Sequence, residues 1–206
     1  MTTPPSSESS EDRREPELPT WARRPNGGGP ELADHRLALF IGRKWETTYR
    51  RKFAPFLEDP SFTPTWNWSA FFAAPIWFLY RKLYLPFVLF MFVPPFIVQL
   101  VLAPADAIMR PSADMTPEQT VEAMKAMVPY FAFELSSRIA AAGIANWLLF
   151  RRARAAARFV DLQPWSEQES QQMLARLGGV HKGPTILLSV LFGTAMLAQV
   201  LGQMPA

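Results

Sequence analysis

Glu134 and Arg138 stand four residues apart, acid first, inside the apolar run 128–150 (VPYFAFELSSRIAAAGIANWLLF). On a helix these positions are neighbours on one face, so the carboxylate and the guanidinium can pair directly. In apolar surroundings an unpaired charge is costly, and such residues mark functional sites by default. A neutralised pair that fixes helix packing is an equal reading. Gln99 and Gln199 lie in two further apolar runs, 83–103 and 184–204. If all three runs span a bilayer in alternating directions, the glutamines and Glu134 fall roughly 8 Å to one side of its midplane, at ~1.5 Å rise per residue. The expectation is an intramembrane polar cluster of Gln99, Glu134, Arg138 and Gln199.

That chemistry is pairing and hydrogen bonding, not catalysis. Glu134 is the one acid within these runs, and no second acid, base or nucleophile accompanies it. The expectation is therefore no enzyme and no catalytic residue. There is no cysteine, and His35 and His181 lack metal-ligand spacing, so no metal and no cofactor are expected. Gly27-Gly28-Gly29 has no strand before it and reads as linker rather than phosphate loop.

A second constellation is basic and aromatic. Leu37, Phe40, Ile41, Trp45, Tyr49, Phe53 and Phe56 recur at three- and four-residue steps, a helical apolar stripe. Arg43, Lys44, Arg50, Arg51 and Lys52 occupy much of the remaining surface. Basic amphipathic helices rich in aromatics lie in membrane surfaces, and packing against another protein element is the alternative. The stretch 68–80 follows, too short at 1.5 Å per residue to span. Trp66 and Trp68 border it on one side, Tyr80, Arg81 and Lys82 on the other, which fits an interfacial or re-entrant helix. These flanking residues, with Arg43, Lys44, Trp45, Arg50, Arg51 and Lys52, form the expected lipid-headgroup set.

The elements that must position these residues read as all-α. Residues 1–34 are rich in Pro, Ser, Glu and Gly, a composition expected to stay disordered. A basic-aromatic membrane-surface module of interfacial helices follows over 35–82. A transmembrane domain over 83–204 holds three predicted spans, at 83–103, 128–150 and 184–204. A short helix over 117–127 is expected between the first two, with Thr116 as cap and Pro117 in the first turn. Asn67 is placed to cap the helix after it. Ser166 with Glu169 forms a capping box, and Gly178-Gly179 ends that helix. Net charge is +3, from 21 Lys and Arg against 18 Asp and Glu, too balanced to point to nucleic acid. Twelve of those cations fall in 1–82, two in 104–127 and six in 151–182. By the positive-inside rule the N-terminus is cytoplasmic and the C-terminus outside. The expected location is the bacterial cytoplasmic (inner) membrane, multi-pass.

The segment WNWSAFFAAPIWFLYRKLY, with FIGRKWETTYRRKF before it and Asn146, LLFRRARAA and LARLGGV after it, resembles the bacterial domain of unknown function 2628 family. The resemblance extends over about residues 40–183. It implies a small bacterial membrane protein and brings no assigned activity. The expected role is a structural or accessory membrane component that binds lipid headgroups or a partner. The expected partners are the lipid bilayer and a membrane-protein partner or second copies of the chain. The alternative is a subunit of a small oligomeric channel or transporter.

Overall fold

Local capping chemistry sets the helix starts. The computed structural model describes residues 30–106 and 116–202, and every regular element among them is helical. Helix α1 covers Pro30–Ile41, and a π-helical turn at Trp45–Tyr49 runs straight into α2, Arg50–Glu58. Helix α3 is Trp68–Tyr80, α4 Tyr84–Asp106, α5 Pro117–Asp161, α6 Glu167–Leu177 and α7 Lys182–Gly202. The Asn67 carboxamide oxygen accepts from the Ala70 N–H at 3.1 Å and starts α3. Reciprocal bonds between Thr116 and Gln119 start α5, and Ser166 with Glu169 does the same for α6. Gly42, at φ 75°, ends the first helical run in a conformation that Gly adopts without strain.

Helix α5, 45 residues, is the spine. At ~1.5 Å per residue it is about 68 Å long. The structure fuses into this one helix what the sequence divides into a short helix at 117–127, a span at 128–150 and a basic extension. The apolarity changes along the chain, but the helix continues: Pro117 sits in the first turn, where its missing N–H costs nothing, and Pro129 lies inside the helix and removes one ladder bond without ending it.

Helix α3 folds back on itself. Ala73 leaves helical geometry (φ −138°, ψ 46°), and Pro75 lies just beyond. The Asn67 N–H donates to the Ala142 carbonyl at 3.2 Å. Five residues on, the Phe72 carbonyl has reached Arg138. By Tyr84 the chain is back beside Arg152. It thus travels toward the N-terminal end of the spine and returns, so both ends of α3 face the C-terminal half of α5.

The core lies around that C-terminal half. Trp45, Phe53, Phe56, Phe78, Leu149 and Phe150 are its largest fully buried side chains. Phe150 meets Phe53 edge-on at 5.4 Å and Phe56 at 5.1 Å between centroids. Small residues Ala141, Ala145 and Ala153 on α5 let these rings close onto the spine. The seven-residue stripe from Leu37 to Phe56 is entirely buried here. It packs on the protein itself, because α3 and α5 supply the apolar partner that a linear reading of the chain does not reveal.

Two expectations are corrected. Among the described residues, no helix is long and apolar enough to cross a membrane, which overturns the three transmembrane spans and the multi-pass inner-membrane location built on them. In α5 the stretch 128–150 carries Glu134, Arg138 and Asn146 and is rich in alanine, which dilutes its apolarity. Second, the expected disordered tail, 1–34, gives way to helix at Pro30; residues 1–29 lie outside the described residues.

Candidate functional site

The spine carries polar groups at three levels. At the first, the Arg138 Nε donates to the Glu134 Oε1 at 2.9 Å, and its Nη2 lies 2.7 Å from the same oxygen. The Arg138 Nη1 donates to the Phe72 carbonyl at 3.1 Å. That carbonyl is available because Ala73 breaks the helical ladder that would have used it. Both side chains are more than a third exposed. They border a cleft of about 420 Å³ between α3, α4, α5 and α7, walled by Phe90, Met91, Pro94, Pro95 and Phe192. Pro94 and Pro95 have no N–H to give to the Phe90 and Met91 carbonyls. The side chains of Gln99 and Gln199 lie outside the described residues, so of the expected cluster the structure brings together Glu134 and Arg138.

At the second level, Asn146 is wholly buried. Its Oδ1 accepts from the Asn67 Nδ2 at 2.8 Å, and its Nδ2 lies 3.0 Å from the Thr65 Oγ1 and 3.2 Å from the Thr65 carbonyl. Asn67 in turn caps α3. Both amides are thus satisfied, and the pair latches the entry of α3 to the spine.

The third level joins segments far apart in sequence. Arg81 is buried, with its guanidinium 4.7 Å from the Tyr49 ring centroid. Burial raises the Tyr49 hydroxyl pKa, with Arg81 opposing. The Lys82 Nζ donates to the Arg176 carbonyl at 2.8 Å and the Gly178 carbonyl at 2.6 Å, capping the C-terminus of α6. Lys82 takes a left-handed φ of 58° to do so. The Tyr84 hydroxyl lies 3.0 Å from the His181 Nδ1, and the Arg152 guanidinium 6.0 Å from the Tyr84 ring centroid. Burial, then the neighbouring Arg152, lowers the Lys82 pKa, and burial lowers that of Arg152. The His181 N–H donates to the Tyr80 carbonyl at 2.9 Å, and the Gly179 N–H to the Phe40 carbonyl at 3.0 Å. A Cβ on Gly178 would stand 1.9 Å from that Phe40 oxygen, so only glycine fits.

The expected headgroup set divides. Arg43, Lys44, Arg50 and Arg51 are exposed, and Lys52 is half-buried with its pKa lowered by burial and by Arg51. Arg50 pairs with Glu46 at 3.2 Å and Asp34 at 3.5 Å. Trp45 is 1 % exposed and belongs to the core. Trp66 and Trp68 stack edge-on at 5.3 Å on the surface, and Tyr80 is half-buried. Arg152, Tyr84 and His181 fall outside the set. Arg152 is legible as part of the basic run after Asn146, but its distant neighbours are not.

The fold defines an all-helical protein built on one long spine, with a bent helix latched to it by paired asparagines. The chain belongs to the family described as protein of unknown function DUF2628, whose model matches residues 42–153. No curated protein and no solved structure matches the chain. The match takes in the Asn67–Asn146 latch, the Glu134–Arg138 pair, Lys82, Tyr84 and Arg152. LARLGGV and His181 lie beyond it.

Proposed function

We propose that the chain is a structural or accessory protein that binds anionic lipid and has a binding rather than a catalytic role. One observation carries this reading: the uncovered apolar faces of α4 and α7 begin beside a group of cations, and α5 adds a further exposed apolar stretch. Leu85, Leu89, Phe92 and Phe96 on α4 are exposed, as are Val128, Phe131 and Leu135 on α5 and Ile186, Leu187 and Val190 on α7. Monomeric soluble proteins rarely expose contiguous apolar patches of this kind without a partner. Lys82 and Lys182 stand at the roots of α4 and α7, and Arg152 of α5 lies beside Tyr84, the first residue of α4. Acyl chains suit the apolar faces, and anionic headgroups suit the cations, each worth about 1 kcal/mol near an anionic surface.

The test is flotation of the purified full chain with vesicles of phosphatidylcholine alone or mixed with phosphatidylglycerol. Binding to both, stronger with phosphatidylglycerol and weakened by salt, is the expected result. A chain that stays at the bottom of the gradient with both compositions would overturn the reading.

A further inference from the structure

The junction of the cations with the apolar helices holds a more specific device. Tyr84 gathers the groups: its ring lies 6.0 Å from the Arg152 guanidinium, its hydroxyl lies 3.0 Å from the His181 Nδ1, and Lys82, two residues before it, is held on the Arg176 and Gly178 carbonyls just before His181. Arg152 and Lys82 are both half-buried, and the Arg152 charge acts on Lys82. Among the described residues neither forms an ion pair with a carboxylate. Four other cations do have such partners, Arg36 with Asp161, Arg50 with Glu46, Lys125 with Glu122 and Arg138 with Glu134; what sets Arg152 and Lys82 apart is that they are half-buried together around Tyr84. Two half-buried like charges side by side repel, and a bound anion offsets that cost. Donors are in place. Lys82 spends two of its three N–H groups on carbonyls and keeps one. Arg152 presents a planar fork suited to phosphate oxygens. His181, whose Nδ1 faces the Tyr84 hydroxyl, keeps its Nε2 for a further bond.

We infer that Arg152, Lys82 and His181 form a phosphate-binding niche at the meeting point of α4, α5 and α7, selective for a phosphomonoester over a phosphodiester. Two cations match the charge of a monoester, roughly −1.5 to −2 near neutral pH, better than the single charge of a diester. The inference rests on the lipid-binding reading for its natural ligand, a phosphomonoester headgroup, but the niche would also take free phosphate.

The experiment compares flotation of the full chain with phosphatidylcholine vesicles containing phosphatidic acid and with vesicles of equal surface charge containing phosphatidylglycerol. The wild type should prefer phosphatidic acid, and Arg152→Gln should lose that preference by roughly tenfold, the worth of a charge-assisted hydrogen bond. Arg158→Gln, on the same helix and exposed, should keep it. Inorganic phosphate supplies the second arm. If it abolishes the preference, the niche takes the phosphate group whatever carries it; if the preference survives, the lipid headgroup is the source. Equal binding to the two vesicles overturns the niche, as does a folded Arg152→Gln that keeps the preference. Should no vesicle bind, the lipid reading fails, and the niche then depends on inorganic phosphate raising the melting temperature of the wild type but not of Arg152→Gln. No such rise would overturn it too.

Discussion

The two halves of the spine have similar apolar neighbours but treat them differently. Around the C-terminal half of α5, the aromatic rings of the π-turn, α2 and α3 are buried against small side chains. Toward its N-terminal half, α4 and α7 run past the bend of α3 and keep their outward apolar faces exposed. Composition is therefore a poor guide to what an apolar helix contacts. The nearby presence of small residues and of a second amphipathic element decides it. Ala141, Ala145 and Ala153 create the room that Phe53 and Phe56 fill. Near Glu134 the spine instead offers Phe131, Leu135 and Ile139 to its surroundings.

Substitutions can break this contrast, starting with the largest effect. Phe53→Ala should lower stability by about 3–5 kcal/mol, as deletion of a fully buried ring does. Phe96→Ala, at a side chain 66 % exposed, should change it by no more than about 0.5 kcal/mol while weakening vesicle binding. Urea denaturation followed by circular dichroism measures both stabilities, and equal losses would erase the distinction between the halves. Asn146→Ala should cost about 1–3 kcal/mol, because the Asn67 amide is left buried without its partner. A loss of less than about 0.5 kcal/mol in the same assay would show that the latch does not hold α3 to the spine. Glu134→Gln should have the smallest effect, under about 1 kcal/mol, since its pair with Arg138 is more than a third exposed. A larger loss would place that pair with the packed half.

The sequence carried what is local. Caps at Asn67, Thr116 and Ser166 depend on side chains reaching backbone groups a few residues away, and the four-residue spacing of Glu134 and Arg138 fixes their pairing. The stripe from Leu37 to Phe56 was legible as a helical face, but its partner was not, because Phe150 lies about a hundred residues further on. The same limit hid the Phe72 carbonyl beneath Arg138, which depends on a backbone break at Ala73. It also hid the meeting of Lys82, Tyr84, Arg152 and His181. The span reading failed because apolarity alone does not separate a buried helix, a surface left open for a ligand and a membrane crossing.

The closure around Gly178 also sets an order of events during synthesis. The Phe40 carbonyl waits for the Gly179 N–H, Tyr80 for His181, and Lys82 for the end of α6. A ribosome that has made the chain through Asp161 has delivered the aromatic core and the spine, but not the segment that ties α1 to the turn after α3. Until the last quarter of the chain emerges, the cations at that turn stand without the carbonyls that hold Lys82. The final lock of the N-terminal helix is therefore placed under the control of the C-terminal residues.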